Sequence, residues 1–244
     1  PYTHTITPGE SLPYVTVFEQ KGSASAALAE LIDAKVDSFK MTAEGVAPIS
    51  FDMTINGCAM KWLSATTWSG PAFALSDGWF TLADAEVLFS LSTGTPVAVP
   101  VGVNLSKLEF EIANSVSTQA VMGSPVPGDQ VESGAVVTVN IEGTTDSTEM
   151  YREVMTGSKT GTDLASTVVT GSLQMTFNHS TNENFKLVLK IPVIPWNCDA
   201  MAVSTDGGPF DLKLSTEGAL DPGDGSGTVQ IVIANDLAPI IDSE

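Results

Sequence analysis

His4, His179, Cys58 and Cys198 are the only imidazoles and thiols in the chain, so any soft-metal or nucleophilic chemistry would have to start from them. Neither histidine sits in an H-x-x-x-H arrangement or beside a cysteine, and both lie in polar surroundings, which reads as surface exposure rather than a zinc site. Two cysteines are too few for a disulfide framework. They read as two buried, reduced thiols, with a single bridge between them left open. The stretch GSKTG (157–161) has the residue types of a phosphate loop but not its spacing, and no helix pattern follows it. DPGDGSG (221–227) offers carboxylates and glycines as a calcium loop would. It lacks the later glutamate and stands directly before a strand pattern, so it reads as a tight turn. MGSPVPG (122–128) places a serine between glycine and proline without the G-x-S-x-G elbow. These residues predict no enzyme, no metal and no cofactor.

Composition then narrows the class. The chain has 244 residues, 43% of them hydrophobic, enough for one large all-β domain with a real core. Ten basic against 29 acidic residues give a net charge of −19, which repels polyanions and argues against attraction to nucleic acid or an anionic membrane. No stretch approaches the roughly 20 apolar residues of a membrane helix, and the start of the chain lacks the basic-then-apolar pattern of a secretion signal. The expectation is a soluble, unexported protein.

The elements that must position any site are mostly strands. ISFDMTING (49–57) alternates Ile49, Phe51, Met53 and Ile55 with Ser50, Asp52, Thr54 and Asn56, the period of a sheet with one buried and one wet face. LEFEI (108–112), VVTVNIEG (136–143), GSLQMTFN (171–178), FKLVLKI (185–191), FDLKL (210–214) and TVQIVI (228–233) repeat the pattern, predicting an antiparallel sandwich or barrel. SLPYVTVFEQKG (11–22) reads as a strand with no hairpin partner nearby.

SASAALAELIDAK (23–35) breaks the pattern. It places Ala24, Ala27, Leu28, Leu31 and Ile32 on one stripe at helical spacing behind a serine cap, predicting a short flanking helix over about 23–34. Residues 36–58 and the pair 105–114 with 133–144 share a plan of strand, break and second strand. Between the latter two lies a Gly- and Pro-punctuated insertion, 115–132, that reads as loop. The stretch 143–166 reads as a long polar loop, apolar only at Met150, Tyr151, Val154 and Met155. The expected organisation is one domain over 1–244, with arms at 1–10 and 236–244.

LPYVTVFEQKG, then AKVDSFKMTAEGVAPISFDMTINGC, then VVTGSLQMTFN ahead of FKLVLKIP, resemble in order and texture the tail tube proteins of long-tailed bacteriophages, across roughly residues 10–235. The resemblance implies a β-sandwich or barrel with a flanking helix, and homo-hexameric rings stacked into a hollow tube. It also implies tape-measure, tail terminator and baseplate or tip proteins as partners. The protein would be assembled in the host cytoplasm and located in the virion, where viral DNA passes through the lumen without specific binding and no membrane is engaged. Inner strands of neighbouring subunits would close one barrel and remove exposed sheet edges.

Within that picture a carboxylate-rich lining would keep DNA from adhering. Asp37, Asp52, Glu109, Glu111 and Glu142 are the candidates for it, although alternation alone leaves open whether their faces line a lumen or an outer surface. Leu12, Tyr14, Val15, Leu28, Leu31 and Tyr151 are the candidate inter-subunit residues. Two other readings stay open. One is a capsid decoration or other virion structural protein. The other is a carbohydrate-binding β-sandwich, for which Trp62, Trp68 and Trp79 would supply the aromatic platform.

Overall fold

The computed structural model describes residues 2–9, 11–20, 28–63, 79–92, 95–100, 102–124, 128–182, 184–198 and 208–235. Its strands, in chain order, begin with β1 (Tyr2–Ile6), β2 (Val15–Gln20), β3 (Leu28–Glu44), β4 (Ser50–Leu63) and β5 (Ala85–Ser90). Then follow β6 (Val97–Ala98), β7 (Val103–Ala113), β8 (Val116–Gln119), β9 (Asp129–Glu132) and β10 (Val136–Thr145). A helix, α1 (Glu149–Thr156), leads to β11 (Thr170–Asn178), β12 (Lys186–Pro195), β13 (Asn197–Cys198), β14 (Phe210–Thr216) and β15 (Gln230–Asn235). No described helix is long and apolar enough to cross a membrane.

The architecture is all-β and antiparallel, as the alternating sequence requires. One sheet runs β1-β15-β12-β11-β5-β6 and the other β13-β14-β10-β7-β3-β2, with β4 also paired to β3. Their inward residues form a single core. Phe89, Leu173, Met175, Phe177, Leu189 and Ile191 come from the first sheet and Met41, Leu108, Phe110, Val139, Ile141 and Leu214 from the second. The two-strand echo is real, since β3 pairs with β4 and β7 with β10, and β3 and β7 join the pairs side by side.

Five expectations change. The predicted helix at 23–34 is not one. Residues 28–34 open β3, a strand of 17 residues and about 55 Å at roughly 3.3 Å each, while 23–27 lie outside the described residues. Ala29 and Ala34 are buried there, and pairing with β2 on one side and β4 on the other outweighs helix propensity. The strand at 15–20 is accordingly not partnerless, because its partner is the next strand along the chain.

The stretch 143–166 is not a structureless loop either. It finishes β10 and then forms α1, whose Met150 and Val154, four apart, are buried in the core, and Gly157 in the left-handed region closes the helix by donating to Glu153 O. The insertion 115–132 contains the hairpin β8–β9. Of the two arms, residues 2–6 form β1, an edge strand along β15, and 236–244 lie outside the described residues.

Candidate assembly surfaces

The outward residues of the second sheet meet across neighbouring strands. Lys40 lies opposite Asp52 on β4 and Glu111 on β7, Asn140 opposite Glu109, and Glu142 opposite both Lys107 and Lys213. Asp52, Glu109, Glu111 and Glu142 therefore share one polar face, as their common phase in the alternation requires. The face is less acidic than the carboxylates alone suggest. Glu109 accepts from Lys107 at 3.0 Å and lies 3.3 Å from Lys40. The Lys107 hydrogen bond, with Lys40 behind it, holds the Glu109 carboxyl below the usual range, and Glu109 in turn raises Lys107.

Asp37 does not join this face. It is skipped at the register shift between Val36 and Ser38, and its Oδ1 accepts from Val116 N at 2.7 Å. Its carboxylate is an acceptor at the start of the hairpin β8–β9.

A second polar cluster ties that hairpin to the rest. Lys35 is 7% exposed, and its ammonium lies 3.4 Å from Gln130 O, 3.8 Å from Glu132 and 4.6 Å from the centre of the Tyr14 ring. Tyr14 donates to Asp129 at 2.7 Å, which pushes the phenol up to about 12 and holds Asp129 below the usual carboxylate range. Leu12 N donates to Glu132 Oε2 at 2.9 Å, and Gln130, 2% exposed, donates through Nε2 to Asn56 O at 2.7 Å. The sequence reading missed Lys35, Gln130 and Glu132. No local pattern marks them, because their partners lie 74 to 120 residues away.

Of the candidate inter-subunit residues, Leu12 and Tyr14 thus have partners within the chain. Val15 pairs with Ala34, Leu28 with Gln20 and Leu63, and Leu31 with Val17 and Met60, all inside the three strands β2, β3 and β4. Tyr151 is half-buried on α1 beside Cys198 and Leu212. The histidines also differ from expectation. Both are half-buried, and His179 Nδ1 accepts from the N–H groups of Thr181 and Asn182 while its ring meets Phe80 and Phe185 edge-on. Cys58 and Cys198 are unbridged and half-buried. The DPGDGSG stretch forms turns in which Asp221 accepts from Gly223 N and Asp224 from Ser226 N. Among the described residues no group of three or more His, Cys, Asp or Glu could hold a metal ion.

The remaining surface feature is β4. Among the described residues it pairs as a strand only with β3, and apart from Gln130, which donates to Asn56 O, no neighbour is seen along its other edge. Phe51 and Met53 lie on the core side, opposite Met41 and Phe39, yet they are 51% and 55% exposed, so the buried face expected for 49–57 is open here. Farther along, Met60 and Trp62 are exposed where β2, β3 and β4 run past the end of β7. Trp79 is also exposed, and Trp68 lies outside the described residues. No family model matches this sequence, and no curated protein sequence matches it.

Proposed function

We propose that this chain is a structural protein whose copies join through sheet edges into rings that stack as a hollow tube, of the kind formed by the tail tube proteins its segment order resembles. One observation carries the reading. Among the described residues, the 14-residue strand β4 has a second edge that no further strand covers, with core-side Phe51 and Met53 half exposed beside it. An edge of that length and apolarity is a template for another chain, and a monomeric protein ordinarily shields it with charge, proline or a bulge. Continuation of the second sheet from copy to copy would bury it and close a barrel.

In this arrangement the polar face bearing Asp52, Glu109, Glu111 and Glu142 lines the channel. Its lysines temper the charge, while Asp52, Glu111, Glu142 and the neutral Thr42, Thr138 and Asn140 still offer a passing polyanion little to grip. The genome of a virion is the cargo such a channel would conduct.

The test is negative-stain electron microscopy of purified protein over rising concentration, with light scattering in parallel. Rings or tubes of uniform diameter are expected. A monomer at every concentration and salt condition would overturn the proposal.

A further inference from the structure

Lys35 and Asn56 stand directly opposite each other on the antiparallel strands β3 and β4, so their side chains leave one face with Cβ atoms about 4.5–5.5 Å apart. Both side chains run to the hairpin β8–β9. The Lys35 ammonium donates to Gln130 O at 3.4 Å, and Asn56 Nδ2 donates to Val116 O at 3.4 Å. Val116 is itself opposite Glu132 in that hairpin, and the Glu132 carboxylate lies 3.8 Å from the ammonium. An amine, a carboxamide and a carboxylate therefore meet at one place, where Lys35 is buried and Asn56 half-buried.

Two features set this meeting apart from an ordinary ion pair. The three N–H donors of Lys35 find one long hydrogen bond among the described residues, so the buried amine is loosely held and can turn toward its neighbour. Gln130 donates through Nε2 to Asn56 O, while its Oε1 is buried without a hydrogen-bond partner among the described residues. An acceptor is thus in place for a nitrogen leaving Asn56.

We propose that Lys35 and Asn56 join in an amide bond across β3 and β4, with Glu132 carrying the proton. Glu132 takes a proton from the Lys35 ammonium, and the neutral amine attacks Cγ of Asn56, for which the two atoms must come within about 3–3.5 Å. The flexible four-carbon stem of lysine supplies that reach. The Nζ–Cγ bond forms and the Cγ–Nδ2 bond breaks. The leaving nitrogen takes one proton from Nζ and one from Glu132 and departs as ammonium, so charge and atoms balance without an oxidant or reductant. Asn56 is the acceptor because it is in register with Lys35, whereas the Gln130 carboxamide is turned to the Asn56 backbone. The bond would tie the two longest strands together and stands whether or not copies assemble.

The test is the intact mass of the purified full chain. The parent should be one ammonia lighter than its sequence, and after proteolysis the peptides carrying Lys35 and Asn56 should remain joined through those two residues. Lys35→Arg and Asn56→Ala should each show the full mass of their own sequences. Glu132→Gln keeps the shape and an acceptor for Leu12 N but cannot carry the proton. It should be purified largely unlinked, because losing a general base slows such a step about a hundredfold or more. Circular dichroism checks that the variants fold, and the parent's own mass decides the main question without them.

A parent at its full sequence mass would overturn the proposal. So would a lighter parent whose digest holds no joined peptides, since Asn56 precedes Gly57 and can also lose ammonia by closing on its own backbone. A link from Lys35 to Gln130 would overturn Asn56 as the acceptor. A folded Glu132→Gln chain that is fully linked at purification would overturn Glu132 as the proton carrier.

Discussion

At the scale of single residues, the Lys35 cluster fixes how three distant pieces meet, and Tyr14 offers a way to read it. The Tyr14–Asp129 hydrogen bond raises the phenol to about 12 and lowers the carboxyl. The depressed Asp129 contributes stability that is present above its ordinary value near 3.8 and is lost as pH falls through its folded value. The raised Tyr14 contributes stability that is present below its ordinary value of 10.0 and is lost as pH rises toward 12. Tyr14→Phe keeps the ring over Lys35 and removes only this bond. The melting-temperature gap between the parent and Tyr14→Phe should be constant from about pH 5 to 9 and should close at both extremes. A gap that is flat through pH 3 and pH 11.5 would mean the bond does not form in solution. Lys35 itself is a buried ammonium, and Lys35→Ala should cost about 2–4 kcal/mol in urea denaturation, because Gln130 O and Glu132 lose their partner inside the fold. Lys35→Met, which keeps the stem against Tyr14, should cost less.

At the scale of elements, the sandwich was legible wherever alternation was regular. The strands at 108–112, 136–143, 171–178 and 185–191 stand where period two puts them, because one face of each is buried. The common face of Asp52, Glu109, Glu111 and Glu142 followed from the same phase. Two segments were misread for opposite reasons. The Ala- and Leu-rich start of β3 has helical propensity but lies between two strands, and that pairing is visible only in three dimensions. The real helix, α1, has Met150, Tyr151, Val154 and Met155 at helical spacing, a signal hidden by the threonines, serines and glycines around it. Its burial decides what shortening 144–165 would do. The deletion would remove Met150 and Val154 from the core, so the subunit should lose its cooperative melt rather than merely fail to stack. A gentler version is Met150→Ala, expected to cost about 2–5 kcal/mol by denaturant titration. A cost under about 0.5 kcal/mol would show that α1 is a detachable surface piece.

At the scale of the whole molecule, charge and apolar surface pull in opposite directions. A net charge of −19 on 244 residues makes every copy repel its neighbours. The exposed apolar features are different in kind: core-side Phe51 and Met53 on β4, whose second edge no described strand covers, and Met60 and Trp62 farther along it. Association driven by such surface changes little with screening, whereas repulsion between acidic copies has a range of about 30 Å at 0.01 M salt and about 10 Å at 0.1 M. Salt should therefore promote assembly. As sodium chloride rises from 10 to 500 mM, the protein concentration at half-assembly should fall several-fold, followed by light scattering at constant pH. The opposite slope, with assemblies falling apart as salt rises, would mean that ion pairs across the interface outweigh the general repulsion. Lysines such as Lys40, Lys107 and Lys213 on the polar face would then be the contacts to examine, and that face would lie between copies instead of along a channel. The direction of the salt effect thus separates the apolar edge from the charged face as the surface that joins one copy to the next.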